Sequence, residues 1–469
     1  MRSVGQRRTT TAAALLAAVA LVAAGCGGGS EGDGDSAAAQ DAPGADALEN
    51  ASGVTKVTFW HAMKGANGEA VDKLVKAFNA KNSGKIEVQA VYQGDYDETI
   101  TKYKTSVQQG NTPSIVQIYD IGSRFMIDSK QTVPVHKFAE KDSYPLTDIE
   151  PNIANYYSID GKMNSMPFNT SMPLLYINKE AFTKAGLDPN KPPTSLEEIM
   201  EASKKLTIKK GGSTVQYGFN AAIYGWFVEQ LIAQSGTTYC DNDNGRKDLA
   251  TKVQFDEDPG VKVATWYQQM IKLGYMPNTG KKTDDAQAVF KSGTSAMHLE
   301  STGSLRGYLE AAKGKFTLAT APFPKISAAD TGGPIIGGAS LWINGVGHND
   351  AVKRASWEFV KFAATPEQQA TWHTGTGYFP INSRALDLPE DKAWVAQYPQ
   401  FTTAITQLHN TKPSTPSAGC ILGVMPQARK AAEDGLEKAV LGTDPKQAMA
   451  DAAKAIQPEI EKYNSTVKK

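Results

Sequence analysis

The sequence predicts an α/β protein built on doubly wound parallel sheets and divided into more than one domain. Three observations carry this. From Lys56 to Asp120 the chain alternates strand, helix, strand, helix, strand. The same alternation resumes after Met172 and again after Ser292. A length of 469 residues exceeds what one core organises, so two or three domains follow.

Each element has a local reason. KVTFWHA (56–62) sets Val57 and Phe59 on one face of a strand. Val71, Leu74, Val75 and Phe78 recur at helical spacing and predict a helix over 68–82. KIEVQAVY (85–92) alternates as a strand, a helix follows over 96–109, and SIVQIYD (114–120) is a strand that ends on an acid. MPLLYINKEAFTKAG (172–186) reads as a strand and then a helix. Thr194 and Glu197 have the spacing of a capping box for a helix to about 207. A strand lies within 292–299 and a helix in STGSLRGYLEAA (301–312). Thr365 and Pro366 cap and open another helix, and helices over 426–441 and 444–463 close the chain. PIIGGASLWI (334–343) reads as a buried strand interrupted by Gly337 and Gly338. Glycine weakens a strand, so it marks either a bulge or a place where something touches the backbone.

The first 53 residues are of another kind. Arg2, Arg7 and Arg8 precede the apolar run TAAALLAAVALVAAG (11–25), which ends at Cys26. This is a basic, apolar, small-residue export signal, too short to span a bilayer comfortably. LVAAG before Cys26 resembles a lipoprotein processing box, with alanine three residues before the cysteine where leucine is commoner. A signal peptide over 1–25, lipid attachment (palmitate among the acyl chains) at Cys26 and a flexible Gly/Ala/Asp-rich tether over 26–53 are expected. The mature chain is then exported and held at the membrane by lipid.

Lys plus Arg and Asp plus Glu are equal at 49 each, which excludes a broad cationic surface for nucleic acid. Cys240 and Cys420 remain after Cys26. In an oxidising compartment they can pair, but sequence alone does not place them within reach. YCDNDNGRKDLATKVQFDEDP (239–259) superficially suggests a calcium loop. It fails that pattern because Cys240 stands where an acid is required, so it reads as a surface insertion without metal.

FWHAMKG, VDKLVKAFNAKN, YQGDYDET, SIVQIYDIGS, MPFNTSMPLLYINKEAFTKAGLDP, GGASLWI, WHTGTGYFPI and GVMPQAR occur in that order over roughly residues 55–469. Together they resemble the glycerol-3-phosphate-binding (Ugp-type) proteins of bacterial ABC importers, within the extracellular solute-binding proteins of family 1. The resemblance implies a two-lobed periplasmic-binding-protein-like fold of type II, with the ligand in a cleft between hinged lobes. The expected lobes are 54–168 plus 297–344 and 169–296 plus 345–469. It implies a monomer without cofactor, a small phosphorylated polyol as ligand, and the transmembrane permease of an ABC importer as partner.

The resemblance also carries site residues. Arg429, in the first turn of the helix after Pro426, offers a planar fork to phosphate oxygens. Ser301 and Ser171 supply hydroxyls, and Asp120 accepts from a glycerol hydroxyl where the family has glutamate. Tyr96 and Tyr378 match binding tyrosines with an apolar face and a polar tip. Gly338 corresponds to a glycine that touches ligand through its backbone, so Gly338→Val is expected to abolish binding and leave the fold mostly intact. The family carries two tryptophans three residues apart; Trp226 keeps the second and Ile223 replaces the first. The space gained points to a glycerophosphodiester such as glycerophosphocholine, whose choline can meet Trp226 or Tyr224 through cation–π attraction.

Three other functions compete, of which a purely structural surface lipoprotein is disfavoured by the clustering of binding-type motifs. Asp95, Asp97 and Asp120 could include a hydrolytic carboxylate pair, but no Gly-x-Ser-x-Gly elbow or P-loop is present, and the six histidines lack metal spacing. A neutral di- or oligosaccharide is the third, and Arg429 discriminates, since an uncharged sugar does not require a buried cation.

Overall fold

The structure, a computed structural model, describes residues 40–467. The expected signal peptide and Cys26 lie outside these residues. Eleven strands form the two main sheets. They are β1 (Thr55–His61), β2 (Ile86–Tyr92), β3 (Ile115–Tyr119), β4 (Thr132–Val133), β5 (Met166–Ser171), β6 (Pro173–Asn178), β7 (Ile208–Lys210), β8 (Ser213–Asn220), β9 (Ser295–Ser301), β10 (Leu318–Pro322) and β11 (Gly337–Asn344). The first sheet runs β2-β1-β3-β11-β4, with β5 also on β11. Its β1, β2 and β3 are parallel, and β11 runs antiparallel to its neighbours. The second sheet runs β10-β6-β9-β8-β7, with β8 and β9 parallel.

Helices α1 (Gly65–Lys81) and α2 (Tyr96–Gln108) are the crossovers of the opening β-α-β-α-β unit. α1 buries Val71, Leu74, Val75 and Phe78, the predicted stripe. In α2, Asp95 and Glu98 form a reciprocal capping box. Asp95 is therefore a helix cap, and Asp97 accepts the Tyr119 hydroxyl at 2.8 Å. Helix α3 (Gly225–Gln234) follows the second sheet's β8, and α4 (Asp258–Lys272) packs beside it. Helices α5 (Asp350–Ala363), α6 (Pro366–Thr376), α7 (Met425–Val440) and α8 (Pro445–Val467) lie in the last third of the chain, among shorter helices. The box expected at Thr194 and Glu197 sits one residue later. Ser195 caps Leu196–Leu206 by accepting from Glu198 N–H, and the Glu198 carboxylate takes the Thr194 amide and hydroxyl.

Three sequence expectations are corrected. The lobe boundaries differ, because β9 and β10 flank β6 in the second sheet, so the chain does not return to the first lobe until β11. Helices α5 and α6 also belong to the first lobe: Phe359 packs on Phe59 and Phe78 at ring distances of 5.5 and 5.2 Å. Second, the tether does not extend to residue 53. From Gln40 the chain is docked on the first lobe. Gln40 donates to the Lys130 carbonyl, Lys137 donates to the Gln40 carbonyl, and Leu48 packs on the core. Third, 239–259 is not a surface insertion throughout, since Cys240, Asn244, Gly245, Ala250, Val253 and Phe255 are buried. Asn242, Asp243 and Asn244 take three successive left-handed conformations there. A disulfide joins Cys240 to Cys420. Among the described residues no group of three or more His, Cys, Asp or Glu could hold a metal. No described helix is long and apolar enough to cross a membrane.

Candidate functional site

The carboxyl end of β3 meets α7, and the carboxyl end of β5 lies opposite Gly337, which faces Trp226 of α3; strand ends are the usual ligand position in open α/β sheets. Asp120 directly follows β3, and the guanidinium of Arg429 reaches it from the other lobe: Nη2 donates to Asp120 Oδ2 at 3.1 Å. Arg429 is the fifth residue of α7, one position beyond the first turn, because the helix begins at Met425. Its other partner was not foreseen. Nε and Nη2 donate to the two oxygens of Glu229 at 2.6 and 2.7 Å, a bidentate pair. Nη1 takes no protein acceptor among the described residues. All three side chains are about 5% exposed, so the cluster is buried. Burial pushes the Asp120 and Glu229 carboxyls up, and Arg429 opposes that. The two acids hold Arg429 firmly charged against the cost of its own burial.

Aromatic rings wall this cluster. The Arg429 guanidinium lies 5.8 Å from the Tyr224 ring centroid, and Tyr224 and Trp226 are 6.2 Å apart. Trp226 Nε1–H is buried without an acceptor among the described residues. Ile223, where an aromatic was absent from the sequence, is buried beside them. Opposite Trp226 lies Gly337: a Cβ there would meet Trp226 Cζ2 at 2.4 Å. The first glycine of the pair therefore makes room for the indole.

The second glycine does something else. Gly338 has φ +99°, and a Cβ there would stand 1.8 Å from the Asn169 carbonyl oxygen. The β5–β11 register shifts between Ala339 and Ser340, a bulge. Any side chain at 338 would pry these strands apart. The expectation that Gly338→Val leaves the fold mostly intact is therefore overturned.

The remaining predicted residues take the following places. Ser171 ends β5 opposite Gly337 and is buried. Tyr96, first residue of α2, stacks on Tyr119 at 5.4 Å and accepts a hydrogen bond from Asn169 Nδ2 at 2.7 Å. Gln117 donates to the same Asn169 at 2.6 Å. Tyr378 stacks on Trp372 and abuts Gly303, where a Cβ would meet its ring at 2.4 Å. Ser301 caps the turn Thr302–Ser304 by accepting from Gly303 N–H, and its carbonyl accepts the Tyr176 hydroxyl. The lobes also touch outside the cleft. Lys64 pairs with Asp284 at 2.6 Å, Asn67 donates to the Gly303 carbonyl, and Tyr463 donates to Asp128 at 2.6 Å.

Sequence reading missed Glu229 and Asn169. The signal for Glu229 was present: it is an acid within GWFVEQLIA, a run too apolar to face water, and a buried carboxylate requires a cation. Asn169 carried no such signal, since an asparagine between strands reads equally well as a turn residue.

Residues 73–403, more than half of the chain, match the family described as bacterial extracellular solute-binding protein. The chain belongs to the bacterial extracellular solute-binding proteins. Among relatives of this solute-binding protein is the sn-glycerol-3-phosphate-binding periplasmic protein UgpB of Shigella flexneri serotype 5b. It is 33% identical over 411 residues, covering 87% of this chain and 92% of that protein. The protein of the same name from Escherichia coli K12 is 32% identical over the same length. Two solved structures share the fold. UgpB from Mycobacterium tuberculosis in complex with glycerophosphocholine superposes with a TM-score of 0.74 at 23% identity, over 87% of this chain and 99% of that one. The GacH receptor of Streptomyces glaucescens, solved unliganded and with acarbose, gives 0.73 at 19% over the same shares. The two-lobed architecture of this solute-binding protein is thus that of its family, and the Arg429 cluster lies between the lobes.

Proposed function

We propose that this chain is the substrate-binding lipoprotein of an ABC importer. It captures a glycerophosphodiester, glycerophosphocholine foremost, or sn-glycerol 3-phosphate, and delivers it to a membrane permease. One observation carries the reading: Arg429 is buried between the lobes with Nη1 uncommitted, and a phosphate oxygen is the partner that a buried guanidinium selects. The names of the relatives support the phosphate, and the glycerophosphocholine complex of a structural neighbour is compatible with it. Ile223 in place of an aromatic leaves room for a group beyond the phosphate, and Trp226 supplies a face and a free N–H.

Closure follows from the same geometry. Asp120 on one lobe and Arg429 with Glu229 on the other meet only when the halves come together. A ligand that bridges them favours the closed form by its differential contacts, and the permease then reads that form. Lipid at Cys26 holds the protein to the outer face of the cell membrane. The protein acts by binding, without catalysis.

Calorimetry with glycerophosphocholine, sn-glycerol 3-phosphate and maltose tests the reading. Tightest binding of the diester is expected. Tighter binding of the monoester rejects the diester preference, and binding of maltose alone rejects the phosphate reading in favour of a neutral sugar. Cys26→Ser should move the protein from the membrane to the soluble fraction.

A further inference from the structure

Glu229 is a carboxylate on a helix whose ten residues are all buried. It does more than neutralise a cation, because Arg429 already meets Asp120. A third acid, Glu433, lies one turn along α7 from Arg429 and accepts from Gly225 N–H at 2.9 Å. One buried guanidinium is thus faced by carboxylates from the turn after β3, from α3 and from α7.

The cations around them are engaged elsewhere. Lys281 is held by Asp434 and Glu437 at 2.5 and 2.8 Å. Arg246 lies over Tyr156 and donates to the carbonyls of Gly419, Ala418 and Tyr156. Lys291 donates to Gln287. Arg429 with its two direct partners therefore carries one negative charge in excess when both acids are ionised. A phosphate monoester at neutral pH brings about 1.5–2 further negative charges. A phosphodiester brings one, and a choline in the same molecule cancels it.

We propose that Glu229 is a specificity-determining residue that selects against dianionic phosphates. It clamps the Nε–Nη2 edge of Arg429, leaves Nη1 for the ligand, and places a fixed negative charge beside the phosphate position. Inorganic phosphate and phosphate monoesters are repelled, while a diester balanced by its own cation is admitted. Specificity here rests on a repulsive element as much as on an attractive one. This rests on the reading of the cleft as a phosphate site.

The test is calorimetry on the full disulfide-bonded chain with glycerophosphocholine, sn-glycerol 3-phosphate and inorganic phosphate at pH 7.5. Glu229→Gln keeps the shape and removes the charge. It should raise monoester affinity relative to the diester by at least about tenfold, a change of about 1.4 kcal/mol. Glu229→Asp keeps the charge and should stay within about threefold of the wild-type ratio. An unchanged ratio in Glu229→Gln, or an equal shift in Glu229→Asp, overturns the role of Glu229. Should Glu229→Gln fail to fold, the wild-type chain decides: it must prefer the diester to both dianions by about tenfold or more, and equal affinities overturn the inference. No binding of any phosphorylated ligand by the wild-type chain overturns the phosphate reading itself.

Discussion

Replacing Gly338 by alanine separates a folding role from a binding one. Its φ of +99° lies in a region where an L-residue is strained by roughly 1–2 kcal/mol. The added methyl would begin 1.8 Å from the Asn169 oxygen, whereas ordinary contact begins near 3.4 Å, so β5 and β11 must separate by more than 1 Å. That weakens two or three backbone hydrogen bonds, each worth about 1 kcal/mol. The sum is roughly 3–5 kcal/mol, a fall in Tm on the order of 10 °C for domains of this size. Circular dichroism melts of Gly338→Ala beside Gly337→Ala make the comparison. In Gly337→Ala the nearest atoms to the new methyl belong to the Trp226 side chain rather than to backbone, so it should lose ligand affinity with a much smaller change in Tm. A Gly338→Ala melt within about 2 °C of wild type would refute the account of the bulge.

Other outcomes follow from the same structure. Cys240 and Cys420 close a loop with a sequence separation of 180 residues, so Cys240→Ser with Cys420→Ser should cost up to about 5 kcal/mol by chain entropy, read by urea denaturation. Arg429→Met should abolish binding of phosphorylated ligands and leave Asp120 and Glu229 unpaired, lowering stability by about 3–5 kcal/mol. The double variant Arg429→Met with Glu229→Leu should recover part of that stability and none of the binding. Burial pushes the Glu300 carboxyl up to about 7. A raised folded pKa gives stability that is full below the unfolded value near 4.5 and is lost as pH rises through about 7. Glu300→Gln should therefore gain on wild type by roughly 2–3 kcal/mol at pH 8 and show no gain at pH 4, measured by thermal melts at both.

The local periodicities were enough to place the opening β-α-β-α-β unit and the two helices that close the chain. They could not assign strands to lobes. Which sheet Ser295–Ser301 joins depends on its pairing with Pro173–Asn178, more than a hundred residues away, and nothing within the strand encodes that choice. Helix α5 shows the same limit, because its apolar face fits any sheet and only Phe59 and Phe78 decide which. Within the cleft, Asp120 and Arg429 were found through motifs, while their common partner Glu229 was hidden in an apolar helix. Gly338 was singled out correctly as unusual, yet its positive φ belongs to a bulge that only the register with Asn169 reveals.

The docking of residues 40–50 on the first lobe has a mechanical consequence. Whatever grips the chain ahead of Gln40 grips that half directly. Under the attachment proposed at Cys26, load from the membrane would enter the molecule through this half and reach the other only across the strands that join them.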